Sequence, residues 1–210
     1  RQIDGKMDIW KMRPDGSDEK QLTFTEDWQE GAPYFLPDNE TIIFRAWKRS
    51  VKQENDRIRA ETGERRQTPM TIFTMKADGS DLQPRTFTDD MNWAPFPAPD
   101  GQHFVYVRIV EGNNWEVFLG DLAGGEPQRL TFNASFDGFP SISPDGKKML
   151  FTRSDGKRFM SGLRTYVMDI STLNIGPEWW TGTVPPVATP PAGEAETAGL
   201  SDQPAEDTGA

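Results

Sequence analysis

The 210-residue sequence has no cysteine, a single histidine and no uninterrupted run of 18 apolar residues. The lack of cysteine excludes disulfide scaffolds, Cys-ligated zinc and thiol nucleophiles. A single histidine excludes metal sites built from several histidines and gives His-based catalysis little support. Without a long apolar run, we expect no membrane-spanning helix. The chain begins at Arg1 and shows no signal peptide, so we expect a processed chain or a fragment.

Basic residues are also scarce, because 23 Lys and Arg are outnumbered by 33 Asp and Glu, which gives a net charge of -10. A protein that follows nucleic-acid phosphates needs an excess of positive charge, so nucleic acid is not expected as a partner. The charge is uneven along the chain. Residues 48–70 hold seven basic and four acidic side chains, whereas residues 185–210 hold five acids, five prolines and no base.

The dominant feature of the sequence is an internal repeat. The segment 9–18, which contains Asp-Gly, matches the segment 72–81, with weaker copies at 117–121 and 166–169. A Leu-Thr-Phe or Arg-Thr-Phe triplet follows, then a Pro-x-x-x-Pro-Asp segment and a short apolar run. The Phe of the triplet recurs after 63 and then 45 residues, so the first unit carries an insert of 18 residues.

Each repeat predicts four short strands, labelled A to D from the Pro-x-x-x-Pro-Asp segment onward. Pro-Asp-Gly forms the A–B turn and Asp-Gly the C–D turn, so the repeated aspartates are predicted to be turn residues and not catalytic ones. The predicted ranges are 33–36, 95–98 and 140–143 for A; 41–46, 103–109 and 148–153 for B; 8–13, 71–76, 115–121 and 164–170 for C; and 20–24, 84–88 and 128–132 for D.

Four antiparallel strands in each unit are typical of a β-propeller blade. We therefore predict an all-β fold in which residues 1–175 form part of a propeller, with blade parts 1–24, 31–88, 94–132 and 138–170 and an insert at 48–70. These parts make up about three blades, and a ring needs at least four, so we expect the C-terminal part of a larger propeller. Residues 176–210 are predicted to be a disordered tail rich in Pro, Ala and Glu.

The repeat resembles the TolB-like, WD-type (PD40) propeller repeat. The segment 143–151, Ser-Pro-Asp-Gly-Lys-Lys-Met-Leu-Phe, fits that pattern fully, and the segment 98–101 fits with Ala for Ser. The segment 36–39 departs twice, with Leu for Ser and Asn for Gly. The resemblance covers roughly residues 8–170. It implies a six-bladed ring, of which about half is present, whose last blade is completed by a strand from the N-terminal end of the propeller.

The predicted topology places the B–C and D–A connections on one side of the disc, here called the loop face, and the A–B and C–D turns on the other, the turn face. Each D–A loop combines acids with an aromatic, and such side chains on a rigid scaffold are typical of recognition surfaces. Trp28, Trp93 and Phe136 could instead pack between blades. The predicted partner-binding residues are Glu26, Asp27, Trp28, Glu30, Asp89, Asp90, Asn92, Trp93, Phe136 and Asp137.

Several features of the sequence leave two interpretations open. Acids at the channel mouth could coordinate Ca²⁺, although no calcium-loop spacing supports it. The insert 48–70 is expected to hold a short helix at 50–61, either as a solvated lid or as a basic arm that contacts an acidic partner. Trp179 and Trp180 could pack on the edge of the last blade or bind sugar. His103 is expected to be an ordinary strand histidine.

The resemblance implies a non-catalytic propeller that acts as a protein-binding scaffold of the cell envelope, as in Tol-type biopolymer transport, in the periplasm or outside the cell. No nucleophile elbow, phosphate loop or dinucleotide fingerprint occurs in the sequence, so neither enzyme activity nor a cofactor is expected. Two alternatives remain: the accessory propeller of a secreted peptidase or polysaccharide-acting enzyme whose catalytic part is missing, and a scaffold tethered through its tail.

Overall fold

The computed structural model describes residues 2–3, 5–111 and 114–187 of the chain. Helix α1 is Arg49–Thr62, and short 3-10 helices lie at Ser171–Leu173 and Pro177–Trp179. The strands are β1 Gln2–Ile3, β2 Lys6–Met7, β3 Trp10–Lys11, β4 Lys20–Gln21, β5 Trp28–Phe35, β6 Thr41–Lys48, β7 Thr71–Lys76, β8 Gln83–Pro84, β9 Asn92–Pro97, β10 His103–Val110, β11 Asn114–Asp121, β12 Gln128–Arg129, β13 Asp137–Ile142, β14 Lys148–Arg153 and β15 Arg164–Asp169.

The strands form antiparallel sheets in chain order, which confirms the predicted propeller blades. Strands β5–β8 and β9–β12 make two four-stranded sheets, and β13–β15 make a three-stranded sheet. The pairs β1–β2 and β3–β4 belong to an earlier unit. We call these units blade 1 (β1–β4), blade 2 (β5–β8), blade 3 (β9–β12) and blade 4 (β13–β15).

The predicted strand bounds are correct for the middle strands and wrong for the inner and outer ones. Strand β7 spans the predicted residues 71–76, and β14 spans 148–153. The innermost strand of blade 2 instead begins at Trp28, five residues before the predicted start at 33. The outermost strands are shorter than predicted, since β8 spans only Gln83–Pro84 where 84–88 was predicted.

A bulge in each innermost strand explains the missed residues. Ala32, Ala94 and Phe139 each precede a proline and have positive φ angles of 54°, 50° and 53°. The register of blades 2, 3 and 4 shifts at these points. Proline has no N–H to donate to the hydrogen-bond ladder, so it sits at a bulge, and regular pairing is found again on the N-terminal side of the bulge. The pattern Pro-x-x-x-Pro therefore marks only the second half of each strand.

The hydrophobic cores lie between successive blades, because alternate side chains of a strand point to opposite faces of its sheet. Along β6, Ile42 and Phe44 face blade 1, whereas Ile43 faces blade 3. Along β10, Tyr106 faces blade 2 and Val105 faces blade 4. Both faces of the central blades are thus buried, as stacking around a propeller axis requires.

The threonine of each Thr-Phe pair fixes its short outer strand to the blade. Its hydroxyl accepts the backbone N–H of the residue 14 positions earlier, on strand C or just before it, at 2.9–3.0 Å. This side-chain hydrogen bond holds the chain against strand C beyond the two-residue ladder of strand D. The repeat of the threonine is therefore explained by its structural role. The pairs are Ile9 with Thr23, Ile72 with Thr86, and Val117 with Thr131.

The repeated aspartates serve in turns, as predicted. Asp38, Asp100 and Asp145 each accept the backbone N–H of the residue two positions later at 3.0–3.1 Å. The following residues Asn39, Gly101 and Gly146 adopt positive φ angles of 56°, 65° and 70°. Asn39 therefore replaces glycine in the left-handed position without loss of the turn.

The disorder predicted from residue 176 onward is wrong for residues 176–187, which lie against the turn face. The Nε2 of Gln102 donates to the carbonyl of Trp179 at 2.8 Å, and the Nη1 of Arg85 donates to the carbonyl of Pro185 at 3.1 Å. Val184 packs on the core between blades 2 and 3. The segment gains order from contacts with three blades, which its composition does not show. The predicted tail beyond 187 lies outside the described residues.

Trp180 also differs from expectation, because its ring lies against the turn at Gly101 of blade 3 and not on the edge of blade 4. Trp179 is largely exposed. Within the described residues no strand pairs with the outer edge of β15, so completion of blade 4 by another strand stays a prediction. No helix in the described ranges has the length and apolar character needed to cross a membrane.

Candidate binding face

The B–C connections of blades 2 and 4 meet the D–A loops on one face, in agreement with the predicted loop face. In each case a backbone N–H at one end of the B–C connection donates to a carbonyl in or beside the D–A loop. The resulting links tie both loops to the inner and middle strands. The pairs are Arg49 with Asp27 at 2.6 Å, Met70 with Asp90 at 3.1 Å, and Ser154 with Phe136 at 2.9 Å.

Three of the predicted site residues occupy one equivalent position, three residues before the bulge proline of each inner strand. Glu30, Asn92 and Asp137 are all buried there. They lie at or near the start of their inner strands, and Glu30 also lies beside Thr23 of the Thr-Phe pair. The structure therefore places them inside the propeller wall and not on its open surface.

Glu30 is an acid held without an ion pair among the described residues. It is 2% exposed and accepts hydrogen bonds from Thr25 at 2.5 Å and Thr23 at 3.4 Å. Burial raises the pKa of Glu30 to about 7; the bond from Thr25 opposes the rise and the nearby Asp8 carboxyl adds to it. Burial also raises the pKa of Asp8. The joint between blades 1 and 2 thus contains two carboxyls whose pKa values burial raises.

The equivalent acid of blade 4 has a cation. The guanidinium of Arg153 donates to both oxygens of Asp137, from Nε at 2.7 Å and from Nη2 at 2.6 Å. In blade 3 the position is Asn92, whose Nδ2 donates to the carbonyl of Met70 at 3.0 Å. Its Oδ1 is buried without a hydrogen-bond partner in the described structure. The same position of the repeat thus holds an acid bonded to hydroxyl groups in blade 2, an amide in blade 3 and an acid paired with arginine in blade 4.

Asp27 caps helix α1 from another loop. Its carboxylate accepts the backbone N–H of Ser50 at 2.8 Å and also the Ser50 hydroxyl. Although burial works against ionisation, the Ser50 bonds and the charges of Arg49 and Lys48 hold the pKa of Asp27 below its usual value. Lys48, the residue at the helix start, supplies no side-chain cap, so Asp27 satisfies an amide that the helix leaves open.

The remaining predicted acids stay at the surface. Glu26 and Asp89 are exposed, and neither forms an ion pair with a basic side chain in the described part of the chain. Asp90 pairs with Arg108 of the adjacent strand. Glu26 and Asp89 are thus the predicted acids that remain free to meet a partner.

The three predicted aromatics separate into two groups. Trp28 is buried and packs edge-on against Phe73, with ring centroids 5.8 Å apart, so packing between blades accounts for it. Trp93 and Phe136 instead belong to a five-ring cluster on the loop face, between blades 3 and 4. Its members are Trp93, Trp115, Phe136, Phe139 and Phe159.

Three members of the five-ring cluster were missed from the sequence. Trp115 lies at the start of β11, just after the B–C connection of blade 3, and Phe159 lies within the B–C connection of blade 4, so the D–A loops of the sequence did not point to them. Phe139 carried a usable signal, because it stands before a proline where the two other blades have alanine. Sequence spacing alone does not show that these rings converge.

The predicted helix in the insert is confirmed as α1, with no buried residue. Much of its charge is neutralised locally, since Lys52 pairs with Asp56 at 2.6 Å and Arg57 with Glu54 at 2.6 Å and Glu61 at 2.9 Å. Such exposed pairs contribute little stability each. The choice between a solvated lid and a contact arm remains a prediction.

The described acids and the single histidine bear on the expectations for a metal site and for His103. Among the described residues no group of three or more His, Asp or Glu side chains could hold a metal ion. The Nδ1 of His103 lies 2.6 Å from Asp100 Oδ2 on the turn face, and this hydrogen bond raises the pKa of His103. His103 thus belongs to the A–B turn of blade 3.

No protein-family model matches the chain. An uncharacterized protein of Agrobacterium fabrum is 27% identical over 169 residues, which cover 71% of this chain and 48% of that protein. The Tol-Pal system protein TolB of Francisella tularensis is 31% identical over 85 residues, which cover 40% of this chain and 19% of that protein. The chain thus spans about half, or less, of the length of these relatives.

Known structures share the architecture. A protein of Agrobacterium tumefaciens assigned as TolB superposes with a TM-score of 0.63 at 20% identity, over 80% of this chain and 54% of that one. TolB from Acinetobacter baumannii gives 0.54 at 22% identity, over 79% and 36%. An oligogalacturonate lyase in complex with manganese gives 0.56 at 9% identity, over 81% and 47%. The chain therefore has the TolB-like β-propeller fold predicted from its repeat.

Proposed function

We propose that this TolB-like propeller is a non-catalytic scaffold that binds a protein of the cell envelope through its loop face, in the periplasm. The observation that carries the proposal is the distribution of polar groups on that face. Glu30, Asn92 and Asp137 are buried inside the propeller wall, whereas Glu26 and Asp89 of the D–A loops are exposed on a face that also carries the five-ring cluster. Charged rim groups around apolar anchors on a rigid scaffold are the usual anatomy of a protein interface.

The similarity to a Tol-Pal system protein supports the proposed cellular setting. Because that relative is named as a protein of a system, a related propeller fits a component of an assembly better than a free-standing enzyme. Blades whose two faces are both buried give the loops a fixed platform, which lowers the entropy cost of ordering a recognition surface. The identity of the partner and the compartment belong to this proposal.

The proposal is tested by exchanging charges on the two faces. The double variant Glu26→Lys/Asp89→Lys is expected to lose capture of a partner from a cross-linked envelope extract, because like charges replace complementary ones. The matched control is Glu40→Lys/Glu126→Lys, which makes the same charge change at exposed positions of the turn face. The captured protein is then purified and its affinity measured directly. Equal capture by both double variants contradicts a loop-face interface.

A second candidate is the accessory propeller of a polysaccharide-acting or peptide-cleaving enzyme. The shared fold with an oligogalacturonate lyase supports it, although at 9% identity this likeness concerns the fold alone. In this candidate the loop face would bind a neutral or acidic oligosaccharide or guide a substrate. Measurable affinity of the chain for oligogalacturonate, with no protein captured, would favour this candidate over the scaffold.

A further inference from the structure

The five-ring cluster is a continuous aromatic surface at the seam of blades 3 and 4. Trp93 contacts Trp115 at a centroid distance of 5.7 Å and Phe139 at 4.9 Å. Phe136 contacts Trp115 and Phe139, and Phe159 contacts Trp115 and Phe136, at 5.3–5.8 Å. The rings come from two inner or middle strands, one D–A loop, one bulge and one B–C loop, so tertiary folding alone assembles them.

Two members of the cluster remain open to solvent. Phe139 is 44% exposed and Phe159 is 60% exposed, whereas Phe136 beneath them is buried. The rings meet at interplanar angles of 47–89°, so they do not form a flat platform. Such a surface suits an inserted side chain better than a flat sugar ring.

Phe139 is also held in a strained backbone conformation. Its φ of 53° is uncommon for a bulky residue, and the equivalent bulges of blades 2 and 3 use the small residues Ala32 and Ala94. Strained residues persist where surrounding structure enforces them, and they concentrate at ligand-binding positions. The bulge turns an aromatic ring toward solvent at the inner strand, which core packing does not require.

Trp115 contributes an unused hydrogen-bond donor to the same place. Its Nε1 is buried and has no hydrogen-bond partner in the described structure. A buried indole N–H normally finds an acceptor, so an acceptor brought by a ligand would complete the site. The backbone carbonyl of an extended peptide supplies such an acceptor next to an inserted side chain.

Two exposed acids precede the blade 3 rings of the cluster along the chain. Asp89 lies on the loop that leads to Trp93, and Glu111 lies on the loop that leads to Trp115. Both are exposed, and neither forms an ion pair with a basic residue in the described ranges. A cationic side chain placed near these loops would gain attraction from both carboxylates.

We propose that the five-ring cluster is the anchor point for the partner of the loop face, and that it takes an extended peptide carrying a large apolar side chain beside a Lys or Arg. This inference rests on the proposed function and specifies its partner. The apolar side chain packs on the exposed rings Phe139 and Phe159. The peptide backbone accepts the Trp115 N–H, and the cation meets Asp89 and Glu111.

The test uses the full chain and a dye-labelled peptide, acetyl-Gly-Lys-Trp-Lys-Leu-Lys-amide, followed by fluorescence anisotropy at low salt. Two comparison peptides replace Trp and Leu by Ala, or every Lys by Glu. The protein is expected to bind the first peptide at least about tenfold more tightly than either comparison peptide, with affinity that falls as salt rises. Equal binding of the three peptides, or no binding of the first, overturns the inference.

The double variant Phe139→Ala/Phe159→Ala is expected to weaken binding of the first peptide at least about tenfold. It should fold normally, because alanine occupies the equivalent bulges and Phe159 is exposed, and an unchanged thermal midpoint verifies this. The matched control is Phe132→Ala, a phenylalanine 74% exposed that lies outside the cluster. Asp89→Asn/Glu111→Gln should reduce both the affinity and its salt dependence.

Further outcomes separate this inference from the proposed function. If Phe139→Ala/Phe159→Ala still captures the envelope partner while Glu26→Lys/Asp89→Lys does not, the anchor is wrong and the scaffold function stands. If neither double variant affects capture, the loop-face function itself fails. Displacement of the labelled peptide by a neutral oligosaccharide would assign the cluster to sugar binding and overturn the peptide anchor.

Discussion

Replacing Glu30 by glutamine is expected to make the protein more stable at pH 8 and to flatten the dependence of its stability on pH. Glu30 is buried at the joint between blades 1 and 2, with threonine hydroxyls as its hydrogen-bond donors. Glutamine has nearly the same shape and an oxygen that can accept the bond from Thr25. It removes only the charge that the site disfavours.

The magnitude follows from the pKa of Glu30, which rises from 4.5 to about 7 on folding. That difference corresponds to about 3 kcal/mol of unfolding free energy at high pH, and it includes the repulsion from Asp8. Below pH 4.5 both the folded and unfolded chains hold the proton, so the penalty is absent. Between pH 4.5 and 7 the unfolded chain releases it first, and stability falls as pH rises; above pH 7 the loss is complete.

Urea unfolding at pH 5 and pH 8, followed by tryptophan fluorescence, measures the effect. Glu30→Gln should gain up to about 3 kcal/mol over the unaltered protein at pH 8 and much less at pH 5, with an unchanged m-value. The matched control is Glu116→Gln, since Glu116 is equally buried but pairs with Arg129 at 2.8 Å. That control should lose stability at both pH values, because it leaves a cation without its partner.

The reasoning is refuted if Glu30→Gln loses stability at pH 8 in the manner of Glu116→Gln. Such a result would mean that Glu30 is ionised in the folded protein and stabilised by a cation. A gain of equal size at pH 5 and pH 8 would also contradict it, because the gain would then come from packing and not from titration.

Three further substitutions test the structural roles assigned above. Asp27→Ala should reduce the helical circular dichroism of α1 and cost about 1–2 kcal/mol, and unchanged helicity would show that α1 needs no external cap. Thr131→Val should lower the free energy of unfolding measured in urea by about 1–3 kcal/mol. The valine leaves the backbone N–H of Val117 without its acceptor and removes the hydrogen bond that Thr131 donates to Glu116. Asp137→Asn should cost about 3 kcal/mol by leaving Arg153 unpaired, with the loss suppressed in the double variant Asp137→Asn/Arg153→Met.

Much of the fold could be predicted because its signals are local. The short apolar runs of β6 and β10, the Asp-Gly turns and the helical insert each depend on residues a few positions apart. The predicted ranges of the inner strands are too short for a related reason. Proline indicates the start of a strand, and only pairing across the sheet shows that the strand already runs before Ala32 or Phe139. The position of residues 176–187 escaped because three separate blades hold that segment.

The candidate site was predictable as a face but not as a set of contacts. The repeat correctly indicated that the D–A and B–C connections share one side of the disc. It could not separate Glu30 from Glu26, since both are acids of one loop region in the sequence, yet one lies in a joint between blades and the other in solvent. Trp93 and Phe136 were identified as candidates, whereas Phe159 joins them only through a loop of the next blade.

The sequence by itself determined the blades, because strand periodicity, turn residues and the Thr-Phe tie act over short distances. Tertiary structure alone decided the chemistry of each equivalent position. Glu30, Asn92 and Asp137 share one place in the repeat, but their partners come from different parts of the fold: threonine hydroxyls for Glu30, the Met70 carbonyl of blade 2 for Asn92, and Arg153 of the neighbouring strand for Asp137. The same holds for the five-ring cluster. Contacts between blades join residues far apart in sequence, and no local pattern encodes which of them will meet.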